Sequence, residues 1–97
     1  MDIKIENDTI CLNGMLDSSS AQDFQTVADE MLAGDAKDIV LDLSGMQYTS
    51  SQGLRIILSL QKGITAKNGK LTLKGVQPAV KEVFDMTGFS SILTIED

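Results

Sequence analysis

The sequence predicts an α/β fold. It is a mixed sheet of four to five strands, an N-terminal antiparallel hairpin followed by parallel strands, covered by helices in the order ββαβαβα(β). Three observations carry this. Apolar residues alternate with polar ones at Ile3 and Ile5 and again at Ile10 and Leu12, the period of half-buried strands. Ile39, Val40, Leu41 and Leu43 form an apolar run broken only by Asp42, as in a strand buried on both faces. On either side of that run lies an amphipathic segment opened by a cluster of hydroxyl residues.

The elements follow in order. Asn7-Asp8 interrupts the first alternation and reads as a two-residue hairpin turn, after which Ile10, Leu12 and Gly14 carry the second strand toward Met15. Asp17-Ser18-Ser19-Ser20 starts a helix, with Gln22 three residues after Ser19 in capping-box spacing. Phe24, Val27, Ala28, Met31 and Leu32 form its inward stripe, and Gly34 is its expected C-terminal cap, taking a left-handed turn. The apolar strand then ends at Ser44-Gly45, a turn signal. A loop leads to Thr49-Ser50-Ser51, and Gln52 sits three residues after Thr49 at the start of a second helix over about 51–67. Leu54, Ile57, Leu58 and Ile64 face inward there, widened by Ile56 and Leu60. Asn68-Gly69 ends this helix, and Leu71 and Leu73 alternate as a fourth strand. Pro78 suits the first turn of a third helix, whose Val80, Val83 and Phe84 face inward and which Thr87-Gly88 closes. Ile92, Leu93 and Ile95 suggest a short last strand at the edge. Right-handed crossovers should then bring the loops at 14–20, 44–51 and 75–78 to one sheet edge, where sites lie in open α/β sheets.

Composition narrows the function. Ninety-seven residues suffice for one domain with a modest aliphatic core, since only three Phe and one Tyr are present. The net charge of −6, with scattered basic residues, argues against nucleic acid and against an anionic membrane surface. The single Cys11 excludes an internal disulfide and fits a reducing compartment. No N-terminal signal core and no spanning apolar run stands in the chain, so a soluble cytoplasmic protein without direct membrane insertion is expected. There is no histidine, which removes the commonest general base and metal ligand.

Each candidate motif has a plain structural role beside it. Thr49-Ser50-Ser51 can cap a helix, and spacing alone favours that role. A phosphate accepted there would meet the helix dipole and free N–H groups, so the fold would tolerate a charge that a docking partner would not. Asp42 lacks a second carboxylate at useful spacing, and accepting N–H groups from the following loop is its expected role. Asp17 similarly suits a loop or cap. Gly63 through Lys70 superficially resembles a phosphate loop, but it has one residue too many between the glycines and ends in Leu71 where Ser or Thr is needed. Cys11 is expected to pack in the core, as are Met31 and Met86 at helical core positions. No metal site and no cofactor is expected.

With this order and these residues, the chain resembles the STAS domain, specifically the stand-alone anti-sigma factor antagonist type, over essentially all of its length. Asp42-Leu-Ser-Gly45 and Tyr48-Thr-Ser-Ser-Gln-Gly-Leu54 look like the family's strand, loop and "S-S-x-G-L" helix start. Gly14-Met-Leu-Asp17 and Val83-Phe-Asp-Met-Thr-Gly-Phe89 support the match. The resemblance implies a partner-switching regulator rather than an enzyme. It would bind an anti-sigma factor of the histidine-kinase-like ATPase type and so free a sigma factor. That partner would phosphorylate it on a serine at the second helix start, and a PP2C-type phosphatase would restore binding. Counted back from Gly53, the serine is Ser51. The partner surface would comprise Asp17, Ser18, Ser19 and Ser20, the segment Tyr48, Thr49, Ser50, Gln52 and Gly53, and Arg55. Asp42, Ser44 and Gly45 would support the loop. Two positions depart from the pattern. Ser50 stands where the sporulation branch has aspartate, and Gln52 where small residues are common, which leaves Ser50 and Thr49 as rival acceptors. The rival function is a STAS scaffold subunit of a larger assembly, such as a phospholipid-transport ABC complex, without phosphate turnover.

Overall fold

The computed structural model describes residues 1–35 and 37–96. Its elements are β1 (Asp2–Glu6), β2 (Thr9–Leu16), α1 (Ser18–Ala33), β3 (Asp38–Thr49), α2 (Ser51–Ala66), β4 (Lys70–Lys74), α3 (Pro78–Thr87), a short 3-10 turn (Phe89–Ser91) and β5 (Thr94–Glu96). The sheet order is β1-β2-β3-β4-β5, with β1 antiparallel to β2 and every later neighbour parallel.

That order decides where the helices go. The chain steps across the sheet in one direction from β2 to β5, so successive right-handed crossovers place all three helices on the same face. The register agrees. Ile10, Leu41, Leu73 and Ile95 lie side by side across four strands, as do Ile39 and Leu71. They join Phe24, Ile57, Leu60, Val80 and Phe84 in one core. The other face is open and carries Thr9, Cys11, Val40, Asp42, Thr72 and Lys74. The expectation that the 39–43 strand is buried on both faces is therefore corrected, because Val40 is only half-buried. Cys11 likewise lies on the open face, half-buried, not in the core. Burial and the nearby Asp42 carboxylate push its thiol pKa up, which disfavours the reactive thiolate. Met86 is exposed, and Met31 packs at the core margin.

β3 departs most from expectation. The 44–51 segment is not a loop, since the strand continues to Thr49. Its pairing with β2 shifts register twice, between Cys11 and Asn13 and between Gly14 and Met15, because β3 carries an extra residue at each place. Those bulges break the alternation that otherwise marks a strand, so Ser44-Gly45 resembles a turn. The backbone groups of Ser44 are satisfied by side chains. Its N–H donates to Asp42 Oδ1 at 3.0 Å, and its carbonyl accepts from Gln77 Nε2 at 2.7 Å.

The C-terminus of α1 also differs. Gly34 is the cap residue but has an extended backbone, φ −84° and ψ −170°, rather than a left-handed one. Lys67, at the far end of α2, donates its ammonium to the carbonyls of Leu32 and Gly34 at 3.0 and 2.7 Å. A cation there satisfies the helix-end carbonyls and opposes the dipole, so a left-handed residue is not required. α3 follows expectation, with Pro78 in its first turn and Gly88 left-handed at φ 79°.

Candidate functional site

β2 and β3 end together, Met15 beside Tyr48 and Leu16 beside Thr49, and α1 and α2 begin immediately after them. The Ser50 N–H donates to the Leu16 carbonyl at 2.8 Å, tying the two helix starts together. The third expected loop does not join them. β4 ends at Lys74, opposite Asp42, and the residues after it lie beside Ser44, where Gln77 donates to the Ser44 carbonyl. Ser50 follows Ser44 by six positions along the chain, about 15–20 Å at ordinary strand rise. The extension of β3 thus leaves a rim of two loops.

On the first of these, Asp17 is the N-cap of α1. Its Oδ1 accepts from Ser19 Oγ at 2.8 Å, Ser20 N and Ser20 Oγ at 3.0 Å, and Ser19 N at 3.1 Å. Ser20 Oγ in turn accepts from Asp17 N at 3.0 Å, so the capping box joins Asp17 and Ser20, not Ser19 and Gln22. Ser18 and Ser19 are exposed and Ser20 is buried. Donation from the Ser19 hydroxyl, then from the Ser20 backbone and hydroxyl, lowers the Asp17 pKa from 3.8 to about 2. The stability this adds is complete above the ordinary value and disappears as pH falls through about 2. Asp17→Ala is therefore expected to melt at a lower temperature than wild type at neutral pH. The gap should narrow between pH 4 and pH 2 in melts followed by circular dichroism. A gap of constant size across that window would contradict the capping role of the carboxylate.

On the second loop, the structure separates three hydroxyls that spacing alone could not. Thr49 is 5% exposed, with its Oγ1 directed to the Ser50 carbonyl at 3.3 Å. Ser50, half-buried, is the N-cap of α2, and its Oγ accepts from Gly53 N at 3.2 Å; Thr49 and Gln52 do not form the cap. Ser51 is exposed in the first turn, and among the described residues its hydroxyl makes no side-chain hydrogen bond. Gly53 is buried where α2 passes over Leu16 and Thr49, close enough that a Cβ would lie 2.5 Å from Leu16 Cδ2.

Around Ser51 the surface is mixed. Tyr48 and Met15 are neighbours in register, 47% and 53% exposed, and form an apolar pair at the strand ends. A shallow groove between the helix starts is lined by Ser18, Gln22 and Gln25 from α1 and by Gln52 and Arg55 from α2. Arg55 stands one helical turn beyond Ser51, on the same side of α2. Met15, Gln22 and Gln25 were not among the sequence candidates. The outward phase of Met15 was legible in the alternation of β2, while the glutamines join the groove only because the two helix starts are tied together. Asp42, Ser44 and Gly45 sit in the bulged middle of β3, at a distance from this rim. The donors on Ser44 lower the Asp42 pKa, aided by the Lys74 charge. Among the described residues no group of three His, Cys, Asp or Glu side chains is placed to hold a metal ion.

This fold and site have relatives. A family model described as "Mlab, STAS domain" matches residues 1–94. BtrV of Bordetella bronchiseptica, described as a candidate anti-sigma factor antagonist, is 34% identical over 85 residues, covering 88% of this chain and 73% of that protein. An anti-sigma F factor antagonist of Paenibacillus polymyxa is 33% identical over 87 residues, 89% of this chain and 74% of its own length. The crystal structure of a candidate anti-sigma factor antagonist from Thermotoga maritima is 29% identical with a TM-score of 0.85, over 99% of this chain and 85% of that one. With nearly its whole length matched by the family model, the chain belongs to the STAS domain family.

Proposed function

We propose that the chain is a cytoplasmic anti-sigma factor antagonist, switched by phosphorylation of Ser51. Its partner is an anti-sigma factor of the histidine-kinase-like ATPase type, bound through the rim of Asp17 to Ser20, Tyr48 to Gly53 and Arg55. Binding releases a sigma factor, phosphate on Ser51 ends binding, and a PP2C-type phosphatase restores it. The observation that carries the reading is the exposure of Ser51 at the start of α2, while Thr49 is buried and Ser50 is occupied in capping.

The chemistry supports a switch that leaves the fold intact. A phosphate on Ser51 would stand at the positive end of the α2 dipole, near the first-turn N–H groups that Ser50 does not cap. Arg55, one turn along, supplies a cation within reach of such a group. The modification adds about −1.5 to −2 charge to the middle of the docking surface, where it would be desolvated by a partner shaped for a neutral hydroxyl.

Capture experiments test the partner class. Tagged wild type and Ser51→Ala, added to lysate of the source organism, should both retain a histidine-kinase-like ATPase. Added ATP should release it from wild type alone. Retention of a permease with its ATPase, indifferent to ATP in both proteins, would overturn this reading in favour of the scaffold subunit.

A further inference from the structure

The opposite margin of the molecule carries a different kind of surface. β1 is an edge strand of five residues with no proline and no register break against β2. The two-residue turn at Asn7-Asp8 makes Glu6 and Thr9 a hydrogen-bonded pair. By the alternation of an antiparallel ladder, the backbone groups of Ile3 and Ile5 then point away from β2. Met1 and Ile5 are 40% and 46% exposed and Ile3 is half-buried, all beside a shallow groove bounded by Asp23, Thr26 and Val27 of α1. On the open face of the same strand, Asp2 and Lys4 lie opposite the uncharged Asn13 and Cys11. Among the described residues the ion pair found is Lys74 with Glu96, on the far side of the sheet.

We propose that this edge binds a second copy of the chain. The two β1 strands pair antiparallel about a two-fold axis at Ile3 and make one continuous ten-stranded sheet. Charge selects the partner and the register. To keep apolar side chains on one face, the register can shift only by steps that preserve the alternation. With Ile3 opposite Ile3, each Asp2 faces Lys4 of the second copy, and each Met1 faces its Ile5. Centred on Lys4, the strands would place Lys4 against Lys4 and Asp2 against Glu6. Centred on Ile5, they would oppose Asp2 to Asp8 and run into the turn at Asn7, where φ is 55°. The first register alone satisfies both charges and both faces. Because the strands are antiparallel, the two copies present their Ser51 rims at opposite ends of the joint sheet, and neither rim is covered.

Sedimentation equilibrium from micromolar to millimolar concentration should show a mass rising toward twice 10.4 kDa. Lys4→Glu and Asp2→Lys should each raise the dimer dissociation constant at least about tenfold, since each sets like charges face to face twice per dimer. Mixing these two variants should restore a heterodimer, because every pair across the axis is then opposite in sign. The double variant Asp2→Lys with Lys4→Glu should by itself restore a homodimer. Both positions are exposed, and thermal melts check that each variant folds. A monomer at all concentrations would overturn the proposal. So would a dimer indifferent to the single changes, or a mixture that fails to recover.

Discussion

Ser51→Asp is expected to weaken binding of the anti-sigma factor about 100-fold, with no loss of thermal stability, while Ser51→Ala binds as wild type does. A carboxylate in the first turn of α2 suits the helix dipole, so the fold has no reason to object. The effect is expected from the proposed docking surface, where the exposed Tyr48 and the groove of Gln52 and Arg55 lie around Ser51. A charge desolvated there against a surface shaped for a neutral hydroxyl costs about 3 kcal/mol, which is about two orders of magnitude in affinity. Titration calorimetry against the purified anti-sigma factor reads the difference directly. Equal affinity of Ser51→Asp and wild type would contradict electrostatic switching at this position.

Gly53→Ala should both destabilise the protein and impair the site. In an ordinary helix this change stabilises by about 0.5–1 kcal/mol. Here the added Cβ would lie 2.5 and 2.7 Å from Leu16 Cδ2 and Cγ and 2.7 Å from Thr49 Oγ1. Leu16 is fully buried and cannot swing into solvent, so the strain is expected to lift the start of α2 from the sheet. Overpacking of this kind costs about 1–3 kcal/mol. The net expectation is a fall in melting temperature of about 5–10 °C. Gly34→Ala is the control, because its Cβ would meet nothing nearer than 3.7 Å and its backbone is one any residue adopts. Lifting α2 also displaces Ser50 and Ser51, so partner binding should fall in Gly53→Ala even at temperatures where it remains folded. Melts by circular dichroism and binding at low temperature separate the two effects, and a melting temperature at or above wild type would show that Leu16 and Thr49 yield easily.

The order of elements was legible because most of them follow one rule each. Alternation marked β1, β2 and β4, helical stripes marked α1 and α2, and Pro78 and Gly88 bracketed α3. The failures lie where two elements share a task. The cap at Gly34 departs from the glycine rule because carbonyls at that helix end are satisfied by Lys67, thirty-three residues from Gly34. The length of β3 was hidden because its bulges shift the phase of burial, from Leu43 to Met46 and again to Thr49, which no single period describes. The open sheet face was hidden for a third reason. Val40 and Cys11 are apolar enough to look buried, and only the sheet order shows that, among the described residues, no helix crosses to cover them. At the site, the hydroxyl cluster was legible as a cluster. The division of labour within it was not, because Thr49, Ser50 and Ser51 differ in burial and partners rather than in chemistry.

Intact-mass analysis after incubation with ATP and the candidate kinase, with fragmentation to locate the modification, reads the switch at Ser51 itself. One added phosphate is expected, placed on Ser51 and absent from Ser51→Ala. An unmodified chain, or a phosphate that persists in Ser51→Ala, would contradict that switch.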